Sequence, residues 1–390
     1  MSALGEDAMK ARRLPSVAAS LCGLALGILL AGAYGPMGAR ADATNETAVP
    51  LGLPPLEAHQ RPVTEQVALG KKLFFDRRLA FNNTNSCAMC HIEQQGLTSH
   101  QSATAIGIEG RSLNRNAPAL YNVAYQKTLF HDGRETDLAQ QAWGPLLSPL
   151  EMDNPSIGHV VDKIRALDDY AGLFEAAFGG RMASMETIGQ ALASYERTFL
   201  CGNSRFDRWY FGKEEKVLTA DEMNGFRVFT SRGRCVSCHT IGETSALFTD
   251  HGFHATGVGY AGAADDGMRV ARIEIAPGEF IEMKHADMAS FSAPRSNDVG
   301  RFSITLDPKD RWAFKTPSLR NVELTYPYMH DGSPSTLEDV VAFYDKGGIK
   351  HDGEKVLEPL GLSEKEKADL VAFLKTLTSE EDRVKIVGYR

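Results

Sequence analysis

Apolar residues recur at helical spacing along much of the chain. Val67, Leu69, Leu73 and Phe74 predict a helix over residues 65–75. Ile188, Leu192, Tyr195 and Phe199 share one face of a helix over residues 186–200. Ser363 and Glu366 form a capping box ahead of Leu370, Phe373, Leu374 and Leu377, which marks another. No alternating apolar and polar run of any length stands out, so strands are not expected. Residues 42–62 are rich in Pro, Ala and Thr and aperiodic, which reads as an extended arm. Residues 243–300 are rich in Gly, Ala and charge and read as a long loop region. The expected fold class is mainly α.

The first 41 residues follow a different grammar. Lys10, Arg12 and Arg13 precede an apolar run, residues 17–30, and a small-residue stretch ends at Ala39-Arg40-Ala41. That order is an export signal with an A-x-A-like cleavage site. The run is short for a membrane span and is followed by Gly and Pro. A protein without a membrane span, working in the periplasm after removal of residues 1–41, is expected. The formal charge of −8 over 390 residues argues against nucleic acid and anionic membrane surfaces as partners, and allows a basic redox partner.

Six cysteines partition simply. Cys22 falls in the signal. Cys87 and Cys90 precede His91, and Cys235 and Cys238 precede His239, so Cys-Xaa-Xaa-Cys-His occurs twice. This is the attachment signature of haem c: two thioethers to the porphyrin and an adjacent histidine for the iron. A zinc half-site would need a further Cys or His pair nearby, and a redox dithiol gives the repeated histidine no role. Cys201 is left alone, so the mature chain has no internal disulfide, and a buried structural thiol is its expected role.

The chain repeats itself. Pro118, Leu120, Asn122 and Val123 match Pro317, Leu319, Asn321 and Val322; His131-Asp132-Gly133 matches His330-Asp331-Gly332, all at an offset of 199. His91 and His239 are offset by 148, so the second half holds 51 more residues between its haem motif and the repeated block. This predicts two cytochrome c-like haem domains from an internal duplication, residues 63–205 and 206–390. The halves differ where chemistry would lie. Gln141 and Glu151 in the first are replaced by Val340 and Lys350 in the second, and Pro145 by Tyr344. A carboxylate and an amide beside an open iron suit peroxide, because a carboxylate can move a proton between its two oxygens. On the residues alone the plainer reading, that Glu151 begins or caps a helix, is favoured. Tyr344 could bind iron as a phenolate, but tyrosine in a helix such as residues 337–344 is ordinarily a core residue.

Together these motifs resemble the bacterial di-haem cytochrome c peroxidase and MauG family, over nearly all of the mature chain. The resemblance rests on both haem motifs, Arg115-Asn116, Pro118, Asp132-Gly133-Arg134, Gln141 to Pro145, Glu151-Met152, and the segments 316–322 and 325–332. It implies a peroxidatic first haem, with Gln141 and Glu151 lining its peroxide pocket, and an electron-transferring second haem. It also implies a calcium ion between the halves, held by the Asn116 side chain and the carbonyls of Thr325 and Pro327. Tyr344 occupies the slot where the peroxidase branch has a methionine ligand, which makes the chain MauG-like. Residues 107–110 lack the histidine that blocks the first iron in that branch, and His100 is too close to His91 in sequence to replace it. An open first haem is expected. His131 and Gly233 stand where the family has tryptophans, with Trp143, Trp209 and Trp312 as possible substitutes.

The resemblance implies an enzyme that uses hydrogen peroxide to bring both irons to high valence, then oxidises a tryptophan or other aromatic group on a secreted protein partner. The alternative within the family is a peroxidase drawing electrons from a small cytochrome or cupredoxin. A different class, a non-catalytic di-haem electron carrier or sensor, would leave Gln141 and Glu151 without purpose in one half only.

Overall fold

The computed structural model describes residues 49–261, 270–276, 279–284, 298–351 and 357–382. The expected export signal, residues 1–41, lies outside the described residues. The first part of the chain runs through α1 (Thr64–Phe75), α2 (Cys87–Cys90), α3 (Leu138–Gln141), α4 (Trp143–Leu147), α5 (Ile157–Arg165), α6 (Leu173–Ala177) and α7 (Met185–Glu196). The second part holds α8 (Arg205–Tyr210), α9 (Ala220–Thr230), α10 (Val258–Ala261), α11 (Phe302–Thr305), α12 (Leu337–Asp345) and α13 (Glu364–Lys375). The fold is mostly helical, as expected, and the three helices read from periodicity are all present. Their starts have local causes. Ser184 Oγ accepts from Thr187 N, and Ser363 Oγ accepts from Glu366 N while the Glu366 carboxylate accepts from Ser363 N, which satisfies first-turn N–H groups.

Two helix pairs anchor the core. α1 packs on α7, and α9 packs on α13. Each crossing passes through a glycine: a Cβ on Gly70 would run into the Ala191 carbonyl, and one on Gly225 into the Asp369 carbonyl. The missing side chain lets the backbones approach. Leu73, Phe74, Ile188 and Leu192 are fully buried around the first pair, and Phe206, Phe229, Phe248 and Phe373 around the second.

Residues 243–300 are not simply a loop. Phe253–His254 (β1) pairs antiparallel with Phe314–Lys315 (β4), and Val270–Ala276 (β2) with Glu279–Lys284 (β3) as a hairpin. The alternation of Ala271, Ile273 and Ile275 with Arg272 and Glu274, followed by Pro277-Gly278, carried that signal. Seven residues of it were masked by the Gly-, Ala- and charge-rich flanks. The far end of this region reaches back: Asp298 pairs with Arg115 Nε at 2.6 Å, and Arg301 Nη1 donates to the Asp132 carbonyl at 3.0 Å.

The segment read as an arm is tied down by its backbone. Leu51 N donates to Asn203 Oδ1 at 2.8 Å, the Gly52 carbonyl accepts from Ala246 N at 2.9 Å and from Arg320 Nη2 at 2.8 Å, and the Pro54 carbonyl accepts from the Tyr125 hydroxyl at 2.8 Å. No helix among the described residues is long and apolar enough to cross a membrane.

Candidate active site

Both Cys-Xaa-Xaa-Cys-His motifs open onto one cavity of 840 Å³. α2 is a single turn that sets Cys87 and Cys90 on one side and hands the chain to His91. In the second half a 3₁₀ turn, Cys235–Ser237, does the same. Each imidazole is oriented by a backbone carbonyl: His91 Nδ1 lies 3.1 Å from Leu97 O, and His239 Nδ1 2.9 Å from Phe248 O. A bond at Nδ1 fixes the tautomer and directs Nε2 as the metal-binding nitrogen. Burial lowers the His91 pKa to about 4, against weaker support from backbone carbonyls, which keeps the ring in its neutral, ligating form. The donor set, the oriented rings and the roomy cavity fit haem at both motifs.

The residues expected to serve the first haem come together. Gln141, Pro145 and Glu151 all line the cavity, with Phe130 and Arg134 beside them. Glu151 lies in a turn between α4 and α5. It neither begins nor caps a helix, since Ser156 caps α5; the plainer reading of Glu151 is corrected accordingly. Its carbonyl accepts from Ile108 N at 2.9 Å and Asn85 Nδ2 at 3.0 Å. Residues 107–110 therefore buttress Glu151 from behind, and a Cβ on Gly107 would strike the Leu150 carbonyl. Burial raises the Glu151 pKa above the usual carboxyl range, while the Ser148 side chain and the Arg134 charge oppose the rise. Arg134 is itself held by Asp132 at 2.9 Å and lies over the Phe130 ring at 3.4 Å.

Tyr344 sits on α12 and lines the cavity near Cys235 and Cys238. Its helix is the expected one, but the ring is turned to the cavity rather than lost in the core, with Phe343 at 5.2 Å. His100 is elsewhere. It is buried, stacked on Tyr326 at 3.7 Å, with Nε2 2.9 Å from Leu324 O, and it does not line the cavity.

Asn116, Thr325 and Pro327 also meet at the cavity. Asn116 Nδ2 donates to the Pro327 carbonyl at 2.6 Å, and Asn116 Oδ1 is buried without a partner. An orphaned amide oxygen beside backbone carbonyls is the chemistry calcium takes. Cys201 is buried, its thiol accepting from Asn122 Nδ2 at 3.1 Å, in keeping with a structural thiol.

None of the three tryptophans lines the cavity. Trp143 donates to the Met185 carbonyl at 3.2 Å, Trp209 belongs to an aromatic cluster with Phe206 and Phe226, and Trp312 packs on Tyr260. His131, His330 and Phe314 line the cavity instead. Phe314 stacks on His330 at 3.5 Å, and His131 Nε2 is 2.9 Å from Asn116 O. Cys238, Asp250 and His254 offer ligand atoms within 4.8 Å of one another. With the Cys238 sulfur in a thioether, what remains is a His254–Asp250 pair at 2.8 Å.

Two cavity residues escaped the sequence reading. Lys315 is half-buried, donates to Gln126 Oε1 at 3.1 Å and Thr128 O at 2.8 Å, and could hold a haem carboxylate. Glu196 continues the buried stripe of Ile188 and Leu192 at four-residue steps. A charge on an apolar stripe was visible in the sequence and was the signal to follow.

The profile of the di-haem cytochrome c peroxidase family matches residues 64–215. The chain is 38% identical to methylamine utilization protein MauG of Methylorubrum extorquens, across 82% of this chain and 80% of that protein. It is 32% identical to cytochrome c551 peroxidase of Nitrosomonas europaea, across 94% and 92%. Among solved structures it is similar to a MauG-like protein associated with microbial copper homeostasis, with a TM-score of 0.65 at 30% identity, covering 86% of this chain and 95% of that one.

Proposed function

Because the chain belongs to the di-haem cytochrome c peroxidase family and is a peroxide-dependent haem oxidoreductase, we propose that it uses hydrogen peroxide to oxidise an aromatic side chain of a secreted protein partner in the periplasm. The observation that carries this reading is Tyr344, which faces the cavity beside the second motif from the slot that the first half fills with Pro145. His91 and His239 would hold the two irons, Cys87, Cys90, Cys235 and Cys238 the porphyrins, and Tyr344 would offer its phenol oxygen to the second iron. When bound, the haems would supply the redox chemistry for O–O cleavage and hold the oxidising equivalents.

The chain's own groups handle the proton. Glu151 is half-buried, and its raised pKa makes its carboxylate a stronger base; as the carboxylate it takes a proton from the nearer peroxide oxygen and delivers it to the farther, so that water leaves as the bond breaks. Gln141 orients the peroxide with its amide. Asn85 and Ile108 keep Glu151 from drifting, because they bind its backbone carbonyl rather than its carboxyl. The partner never needs to reach the first iron, since electrons cross between the halves.

Electron paramagnetic resonance of the resting ferric protein should give one high-spin and one low-spin haem, and one equivalent of peroxide should give a long-lived oxidised species. Tyr344→Met should remove that species and move the enzyme toward peroxidase behaviour with a small cytochrome or cupredoxin donor. Unchanged peroxide-induced spectra in the variant would overturn the role of Tyr344.

Two further readings belong here. The equal handling of Asn122 and Asn321 supports an origin of the halves, residues 63–205 and 206–390, by duplication. Both have φ of 57°, and each side chain closes a pair of bonds on a distant strand of chain, Cys201 for one and Ser379 with Asp382 for the other. The orphaned Asn116 Oδ1 supports calcium bound by Asn116, Thr325 and Pro327. Stripping calcium with a chelator should lower the thermal midpoint, and added calcium should restore it; a midpoint indifferent to both rejects the site.

A further inference from the structure

Glu196 is 6% exposed, lines the cavity, and has a carboxylate oxygen, Oε2, with no hydrogen-bond partner. It acts electrostatically on Cys87, which puts it on the side of the first haem motif. Nothing about its place in the fold asks for a carboxylate. It closes the buried face of α7, where Ile188 and Leu192 are apolar, and it stands at the helix C-terminus, where the macrodipole disfavours negative charge. Burying an unpartnered ionised carboxylate is costly, so it stays neutral unless something nearby rewards its charge. Burial drives its pKa up to about 8, and Arg197 is the one charge that opposes this. Lys72 and Lys163, on α1 and α5 that pack against α7, have partners of their own. Lys72 pairs with Asp169 at 2.6 Å, Lys163 donates to the carbonyls of Ala80 and Phe81, and Glu93 accepts from the Tyr195 hydroxyl. Arg197 also feels Asp137.

We propose that Glu196 is the proton acceptor coupled to electron uptake at the first haem. Glu196 would be ionised while a ferric haem rewards its negative charge, and its carboxylate would gain one proton from solvent, becoming a carboxylic acid, when that haem takes up one electron. Oxidation reverses both. The pairing leaves the charge inside a low-dielectric cavity unchanged, which removes the main penalty for moving an electron there. The electron comes from a protein donor or from the reductant of a titration. The inference rests on Cys87, Cys90 and His91 holding a haem, and is independent of Tyr344 and of the partner's identity.

Redox titration of the haem-loaded full chain, following each haem optically from mildly acidic to mildly alkaline pH, tests it. At fixed applied potential, the ratio of oxidised to reduced first haem should rise toward tenfold per pH unit, equivalent to about 59 mV for one electron. Glu196→Gln should abolish that dependence and leave the second haem's titration unaltered, whereas Glu196→Asp should keep it. A first haem with no pH dependence in the native protein, or a Gln variant with the native slope, overturns the proposal. Should the Gln variant fail to fold, redox-difference infrared spectra of the native and Glu196→Asp proteins decide. A carboxylic C=O band that appears on reduction of the first haem and shifts in the Asp variant supports the coupling, and its absence from the native spectrum overturns it.

Discussion

Arg320 and Asp207 are both fully buried and paired with each other. The guanidinium also donates to Gly52 O and Ala246 O at 2.7–2.8 Å, so its charge is spread over three partners. Asp207 additionally accepts from Ser204 N at 2.9 Å and Ser204 Oγ at 2.8 Å, which caps α8. Arg320→Met fills much of the volume but strands the Asp207 charge and the Ala246 carbonyl, while the Gly52 carbonyl keeps Ala246 N. A loss of about 3–5 kcal/mol is expected in denaturant unfolding of the haem-loaded protein; a loss below about 1 kcal/mol would mean that water or Ser204 meets the charge. The sequence placed Arg320 in the repeated block, yet its task was not legible there. Its partners lie 74, 113 and 268 residues away, and no local pattern encodes such distances.

At the scale of elements, legibility follows the range of the cause. α7 and α13 were readable because their apolar stripes and caps are local. The β2–β3 hairpin was missed because a short alternation was outweighed by its flanks. For the site, Gln141, Glu151 and Tyr344 were found by comparing the halves, and the fold brings all three to the cavity. What comparison could not supply was the support behind them, such as the Ile108 bond to Glu151, since it is made by backbone and leaves no mark on side-chain identity. The helix crossings make a test. Gly70 and Gly225 each face a carbonyl of the partner helix. Gly→Ala at either should force the pair apart at a cost of about 1–3 kcal/mol despite alanine's better helix propensity. Because α1 leads to the first motif and α9 to the second, Gly70→Ala should perturb the optical and resonance signals of the first haem alone, and Gly225→Ala those of the second. Equal disturbance of both haems by either variant would deny that the crossings act locally.

Across the whole molecule, the halves are joined by charge as well as by the cavity. Arg115 binds Asp132 at 2.7 Å and Asp298 at 2.6 Å, and Asp132 also binds Arg134. Burial alone would raise the pKa of both aspartates, but the guanidinium of Arg115, with Arg134 at Asp132, outweighs it and holds both below the usual value. A carboxyl whose folded pKa lies below its unfolded value of about 3.9 stabilises the fold fully above that value. The contribution falls away as pH drops from there through the folded pKa, when the acid protonates and the pair is lost. The protein should therefore lose stability steeply below about pH 4. Asp298→Asn removes one of the two pairs across the chain, so it should be less stable at neutral pH and should show a shallower loss in the acid window. Arg115 keeps Asp132, which limits the neutral-pH cost relative to Arg115→Ala, where both carboxylates lose their main partner. Thermal midpoints of the haem-loaded proteins between neutral pH and about pH 3 measure this. Parallel curves for native protein and Asp298→Asn would show that the link between Arg115 and Asp298 contributes nothing to acid stability.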